Sequence, residues 1–157
     1  MRFIVQVCKE ASVMIDNEVI ARISKGEVVL VSFTNGDDEK IVDKMIDKLI
    51  KLRIFEDSNG LTNTNISSFN GEILAVSQFT LYASLKDGNR PAFVNCLNAN
   101  DARKLYDYFV KKLKEKYERL EQIYNTEIPY ISLVNSKQNT IYNSNLVGDV
   151  APNWYNI

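Results

Sequence analysis

Two short and nearly continuous apolar runs constrain the fold of this chain more than any other feature. Residues 28–33 read Val-Val-Leu-Val-Ser-Phe, and residues 73–76 read Ile-Leu-Ala-Val directly after Gly71-Glu72. Neither run alternates between apolar and polar residues as a half-exposed strand does. Such β-rich runs are typical of strands that lie inside a sheet. We therefore expect a sheet with both runs buried.

Further strands are expected around these two runs. Residues 12–15 and 19–23 are separated by Asp16-Asn17-Glu18, which predicts a hairpin. Residues 61–70 are rich in Asn, Ser and Thr without a clear period, so we expect a loop there. The strand that begins near residue 71 is expected to continue to residue 81. Other strands are predicted at 2–8, 53–55, 128–134 and 140–142.

The hydrophobic period changes from strand-like to helical in two stretches. From 38 to 52 the apolar residues fall on one helical face, with Asp38 as a candidate N-cap. A longer helix is predicted from Asn98 or Asn100 to about Leu120. Its residues 103–119 carry seven cations against three anions. The fold class is therefore α+β: a curved, barrel-like, antiparallel or mixed sheet covered by two long helices.

Composition excludes several classes of function. The 157 residues fit one domain, and a net charge of -1 gives no general attraction to nucleic acid or anionic membranes. No apolar run is long enough to span a bilayer, and the start lacks the features of a signal peptide. The two cysteines are expected to be reduced thiols. The chain has no histidine, which removes the commonest general base and metal ligand.

Polar residues close the second buried run. Ser77, Gln78 and Thr80 stand where a buried strand ends, and each needs a hydrogen-bond partner if water is excluded. One interpretation is a strand whose polar end reaches the surface. The other is a strand end that presents backbone N–H groups and short polar side chains to a ligand. The loop 84–91, with Lys86 and Arg90, is likewise either a solvated turn or a phosphate contact.

Five stretches of the chain, taken in order, carry a resemblance to a known family. They are Glu10-Ala11-Ser12-Val13, Leu52-Arg53-Ile54-Phe55-Glu56-Asp57, Ser77-Gln78-Phe79-Thr80-Leu81, Lys86 to Pro91 with Phe93, and Val134-Asn135. Together they resemble the D-aminoacyl-tRNA deacylase family, which is also called the D-tyrosyl-tRNA deacylase family. The resemblance covers residues 1–142, which are predicted to form the deacylase-like domain, with 143–157 as a C-terminal extension.

The resemblance implies a cytoplasmic homodimer that acts on aminoacyl-tRNA in translation quality control. Such proteins hydrolyse the ester that joins a D-amino acid, or glycine, to tRNA, and they thereby recycle the tRNA. They use no metal, no cofactor and no protease-like nucleophile, and neither a membrane nor DNA is an expected partner. The cations of the second long helix then fit either a solvated face or contact with the tRNA backbone.

The resemblance also implies roles for individual residues. The catalytic set is Ser77, Gln78, Phe79 and Thr80, with Gln78 orienting the substrate carbonyl or a water and backbone N–H groups near Phe79 holding the oxyanion. A second subunit is expected to complete the pocket. The implied substrate-binding residues are Lys86, Arg90, Pro91, Phe93, Lys137, Gln138 and Thr140.

One departure from the family pattern is marked. Lys137-Gln138 stand where the family has Gly-Pro. A cis bond before a residue other than proline costs about 2.5–4 kcal/mol, so the family's rigid carbonyl pair is expected to be altered here. An alternative is therefore a non-catalytic paralogue that binds tRNA or a protein. Unrelated hydrolase chemistry on the same fold is a third hypothesis.

Overall fold

The computed structural model of the chain describes residues 1–118 and, as backbone, residues 120–123, 141–142 and 154–156. The predicted strand at 128–134 and the residues Lys137, Gln138 and Thr140 lie outside the described residues. Among the helices that are described, none is both long and apolar enough to cross a membrane.

Ten strands, three α-helices and one 3₁₀ turn follow one another along the described parts of the chain. The first half contains β1 (Arg2–Cys8), β2 (Ala11–Ile15), β3 (Glu18–Ile23), β4 (Gly26–Ser32), α1 (Glu39–Lys51), β5 (Arg53–Glu56), β6 (Thr62–Asn65) and α2 (Ile66–Phe69). The second half contains β7 (Glu72–Ser77), the 3₁₀ turn (Phe79–Tyr82), α3 (Ala99–Lys116), β8 (Leu120–Ile123), β9 (Ile141–Tyr142) and β10 (Trp154–Asn156).

The strands form a mixed main sheet and two smaller ones, which confirms the α+β class. The main sheet has the order β10-β1-β4-β7-β8, in which β4 pairs with β7 in parallel and β1 pairs with β4 antiparallel. A second sheet has the order β3-β2-β9, and β5 pairs with β6 alone. The described strands therefore do not close into one barrel. The predicted hairpin is β2–β3.

The two apolar runs lie at the centre of the main sheet, as predicted. All seven residues of β4 are buried, and so are the four central residues of β7. Val29 and Val31 face a core that contains Leu49 of α1 and Phe109 of α3. Alternate residues of the same strands face a second core with side chains of β2 and β3. Helices cover one face of the sheet, and the β2–β3 hairpin covers the other.

The two long helices begin at polar caps and pack through one face each. The Asp38 carboxylate accepts a hydrogen bond from the Ile41 N–H at 2.9 Å, which satisfies one N–H of the first turn of α1. Asn98 accepts from the Asp101 N–H at 3.1 Å at the start of α3. The buried side chains are Val42, Ile46 and Leu49 on α1 and Tyr106, Phe109, Val110 and Leu113 on α3.

Two expectations from the sequence were wrong. Residues 61–70 are not a loop: they form β6 and α2, because Asn65 caps the Ser68 N–H at 2.9 Å, Ile66 is buried, and Asn70 ends the helix with φ of 57°. The strand predicted to reach residue 81 ends at Ser77, and a 3₁₀ turn follows. In addition, Trp154–Asn156 pairs with β1, which the pattern did not predict.

Candidate active site at the end of strand β7

The polar end of β7 leaves the main sheet at a defined point. Ser77 is in register with Val31 of β4, and the Gln78 N–H donates to the Val31 carbonyl at 2.7 Å. The chain then turns, and the Ala83 N–H donates to the Thr80 carbonyl at 3.0 Å. The 3₁₀ turn thus carries Phe79 and Thr80 away from the strand direction, while Gln78 stays against the sheet.

Gln78 is the most deeply buried polar residue of this segment. Its residue exposure is 2%, and its side-chain Nε2 donates to the Thr80 Oγ1. The Gln78 Oε1 atom is also buried, and it has no hydrogen-bond partner among the described residues. Since buried polar atoms in folded proteins are nearly always hydrogen-bonded, this oxygen is a candidate acceptor for a group that comes from outside the described chain.

The carbonyl of Phe79 is held from two sides. The Ser32 hydroxyl and the Cys96 thiol each donate to it, both at 3.3 Å. Burial raises the pKa of Cys96 above its usual value, so the thiol keeps its proton near neutral pH. The ring of Phe79 lies 5.2 Å from the ring of Phe93, measured between centroids. These contacts fix the turn relative to β4 and to the segment that precedes α3.

Arg2 supports the same turn from β1. Its guanidinium donates to the carbonyl of Leu81 and lies 4.5 Å from the centroid of the Tyr82 ring. Arg2 was not predicted as a site residue, because an arginine at the start of a strand carries no local signal in the sequence. Only the pairing of β1 with β4 places it near the end of β7.

The structure brings one of the four described substrate-binding candidates to the site. Phe93 contacts Phe79, whereas Lys86, Arg90 and Pro91 are exposed in the loop between Ser84 and Ala92. Two backbone hydrogen bonds between Ser84 and Ala92, at 2.8 and 2.9 Å, close this loop. Lys86 and Arg90 form no ion pair among the described residues, so both cations are accessible to solvent and to ligands.

The arrangement suits orientation and polarisation of a substrate better than attack by a side chain. Ser77, Gln78 and Thr80 carry no charge, and the Thr80 hydroxyl contacts the neutral amide of Gln78 and no base. An unactivated hydroxyl is a weak nucleophile at neutral pH. Within the described part of the chain, no three acidic, cysteine or histidine side chains are grouped to hold a metal ion.

Comparison with known proteins identifies the family. The model of the family described as D-Tyr-tRNA(Tyr) deacylase matches residues 4–136. The chain belongs to this family. Proteins named D-aminoacyl-tRNA deacylase from Lactobacillus gasseri and Clostridioides difficile are both 45% identical over 116 residues. The alignments cover 74% of this chain and 80% and 78% of those proteins.

Two solved structures extend the comparison. One is titled "c-Myc DNA Unwinding Element Binding Protein"; it has a TM-score of 0.74 and 33% identity, over 78% of this chain and 83% of that one. The other, titled as a probable eukaryotic D-amino acid tRNA deacylase, has a TM-score of 0.68 over 99% of this chain and 98% of its own. At 15% identity it shows the fold alone.

The D-Tyr-tRNA(Tyr) deacylase match includes the whole segment from Ser77 to Thr80. It ends at residue 136, immediately before Lys137-Gln138. The match to the family model therefore covers the whole of the described candidate site.

Proposed function

We propose that this protein hydrolyses the ester bond of D-aminoacyl-tRNA, or of mischarged glycyl-tRNA, and so returns free tRNA to translation. Family membership supports the reaction class. The observation that supports the site is the buried Gln78 Oε1 atom, which lacks a hydrogen-bond partner among the described residues at the end of β7. The ammonium group of an esterified amino acid, or a water molecule, is a donor that this oxygen can accept from.

The chemistry proposed for the site needs no side-chain nucleophile. A water molecule, oriented by Gln78 or by the ribose 2′-hydroxyl, attacks the ester carbonyl. The bond between the carbonyl carbon and the 3′-oxygen of the terminal ribose breaks, and a proton from the water passes to that oxygen, which leaves a free amino acid and a free 3′-hydroxyl. Backbone N–H groups near Phe79 stabilise the negative charge that develops on the carbonyl oxygen. Gln78 orients the reacting group, and the contacts of Ser32 and Cys96 with the Phe79 carbonyl hold the turn in place. Thr80 lines the pocket and positions Gln78.

A homodimer is part of the proposal. Two large apolar residues near Phe93 in the chain are exposed: Leu85, within the loop closed by Ser84 and Ala92, is 63% exposed, and Val94 is 75% exposed. A covering protein surface would remove such apolar side chains from water. Lys137, Gln138 and Thr140 of the second subunit are then the proposed covering residues. Lys86, Arg90 and Pro91 are proposed to contact the tRNA end, and the proposed location is the cytoplasm.

The direct test is turnover of defined substrates. D-tyrosyl-, L-tyrosyl- and glycyl-tRNA would be incubated with the protein, and the released amino acid would be measured against buffer alone. We expect hydrolysis of at least one of them, and a loss of about 100-fold in Gln78→Ala, the scale of removing one positioned polar group. Ser12→Ala, which changes a buried polar residue of β2, is the control. An absence of turnover on all three substrates would refute the proposal.

The replacement of Gly-Pro by Lys137-Gln138 favours one alternative. A non-catalytic paralogue would bind tRNA in a salt-dependent manner without releasing the amino acid. In that case Gln78→Ala would leave tRNA affinity unchanged. Measuring binding and turnover on the same protein preparation separates this alternative from the deacylase.

A further inference from the structure

Four lysines form a continuous ridge along the outer side of α1. They are Lys40, Lys44, Lys48 and Lys51, and all four are exposed. Residues four or three positions apart lie on the same side of a helix. The helix rises about 1.5 Å per residue, so the ridge extends for about 16 Å. We refer to these four residues as the lysine ridge.

Two of the three acidic residues of α1 contact side chains of α3. The Asp43 carboxylate accepts from the Tyr108 hydroxyl at 3.2 Å, and Asp47 forms an ion pair with Lys116 at 2.6 Å. None of the four ridge lysines takes part in an ion pair within the described residues. The pKa of Asp47 is lowered by its hydrogen bond with Lys116 and also by the charge of Lys51, so this carboxylate lies at the edge of the ridge. The ridge is therefore cationic, and the one anion at its edge is already paired with Lys116.

The cations of α3 have a different setting. Lys104 pairs with Asp101 at 3.0 Å, and Lys112 pairs with Glu115 at 2.9 Å, each within the helix. Of the two helices, α3 carries more cations in its sequence, but its own carboxylates neutralise part of them. Among the described residues, three cations of α3 (Arg103, Lys111 and Lys114) and all four cations of α1 form no ion pair, so the larger unpaired set is on α1.

The arrangement of the ridge has a cost when no ligand is present. Like charges three or four residues apart on a helix repel one another and destabilise it. The chain as a whole has a net charge of -1, so the ridge is a local departure from the average charge. A polyanion that follows the helix would remove this repulsion and release its own counterions on binding.

We propose that the lysine ridge binds the phosphate backbone of a double-stranded stem of the tRNA substrate. Lysine ammonium groups on flexible stems contact phosphates as point charges and do not read base sequence. Such contacts suit a protein whose substrates share a backbone but differ in sequence. This inference rests on the proposed function, and it adds the surface by which the substrate body is held.

RNA fits the ridge better than a membrane surface does. An interfacial helix inserts its apolar face between lipids. The apolar face of α1 is already used, because Val42, Ile46 and Leu49 are buried in the core. Only the charged side of the helix is accessible, so binding to vesicles is the competing outcome that the experiment must exclude.

The test compares two variants with the same change in net charge. The ridge variant is K40Q/K44Q/K48Q/K51Q, and the matched control is K104Q/K111Q/K112Q/K114Q on α3. Glutamine is a good helix former at these exposed positions, and circular dichroism would check that both variants are folded. Binding of uncharged tRNA would be measured by fluorescence anisotropy between 50 and 300 mM salt.

We expect the ridge variant to lower the slope of log K against log salt by about 3, as four lost phosphate contacts require. The control variant should lower it by less than about 1. In hydrolysis assays the ridge variant should raise KM for aminoacyl-tRNA at least tenfold. Its kcat/KM for an aminoacyl-adenosine fragment, which lacks the stem, should stay unchanged.

The inference fails if the two variants change the salt slope equally, if the ridge variant changes it by less than about 1, or if wild-type protein binds phosphatidylserine vesicles more tightly than tRNA. It is separable from the proposed function, because tRNA binding is measured without turnover. If the wild-type protein released no amino acid, the proposed deacylase function would be refuted. If tRNA binding were nevertheless lost in the ridge variant and kept in the control, the proposed role of the lysine ridge would still be supported.

Discussion

The two ends of the β4–β7 pair each bury a polar side chain that has no hydrogen-bond partner among the described residues. At one end this is Gln78, next to Ser77 and its partner Val31; at the other it is Glu27, beside Ile73. Gln78 is followed by a 3₁₀ turn whose four residues are partly exposed, whereas Glu27 is 0% exposed and has Val7 opposite it on β1. We therefore expect the unpaired oxygen of Gln78 to accept a hydrogen bond from a ligand, and the unpaired carboxyl of Glu27 to destabilise the fold.

Glu27 gives the largest expected effect, and it depends on pH. Desolvation by burial raises the pKa of Glu27 to about 8. Between about pH 4.5, where the unfolded carboxyl loses its proton, and about pH 8, the folded protein binds one proton more than the unfolded protein does. Stability should therefore fall as pH rises through this window, by up to about 1.4 kcal/mol per pH unit, and level off above it.

Urea unfolding of wild type, Glu27→Gln and Glu27→Leu between pH 5 and 9 would measure this effect. Both variants should lack the extra slope, and Glu27→Leu should be the more stable protein at pH 8 by about 1–4 kcal/mol, because an apolar side chain of similar size replaces a buried charge. Turnover should be unchanged in both variants. Parallel pH curves for wild type and Glu27→Gln would show that the carboxyl finds a partner in solution.

Gln78→Leu is the converse experiment at the other end of the strands. We expect kcat/KM for the best aminoacyl-tRNA substrate to fall about 100-fold, which is about 2.7 kcal/mol of transition-state stabilisation. Global stability should change by only about 1 kcal/mol, since the side chain loses one hydrogen bond and one unsatisfied oxygen together. The distinction between the two ends would be wrong if Gln78→Leu lowered stability by several kcal/mol, or if Glu27→Leu lowered kcat/KM as much as Gln78→Leu does.

A smaller effect is expected from Ser32→Ala. The Phe79 carbonyl would keep the Cys96 thiol but lose the Ser32 hydroxyl, which now donates at 3.3 Å. The loss of one such bond costs about 1 kcal/mol. We expect a decrease of about fivefold in kcat/KM, with little change in KM for tRNA, because the turn and not the stem contact is altered. Cys96→Ser, which keeps a donor, should decrease kcat/KM less.

The main elements followed from the sequence because their signals are local. Continuous apolar runs predicted β4 and β7, and a change of period with a polar cap predicted α1 and α3. The short elements in 61–70 were missed although Asn65 and Asn70 carry ordinary capping signals. A four-residue helix leaves no hydrophobic period to read, so only the structure shows that Ile66 is buried.

Only part of the candidate site could be predicted from the sequence. Family resemblance indicated Gln78 and Thr80, and the structure places them in contact. The support from Arg2, Ser32 and Cys96 depends on pairings between distant parts of the chain, and a single sequence gives no measure of those distances. Nor could the sequence alone show which of two cationic helices has its charges neutralised by neighbouring carboxylates.

The parallel pairing of β4 with β7 has a consequence for the order in which the molecule folds. A parallel pair needs a crossover connection, and here α1, β5, β6 and α2 lie between the two strands in the chain. Closing that long segment costs entropy before the strand contacts repay it, so we expect the pairing to form late and to limit the folding rate. The register of Val31 with Ser77 places Gln78, so partly folded chains that lack this pairing also lack the candidate site.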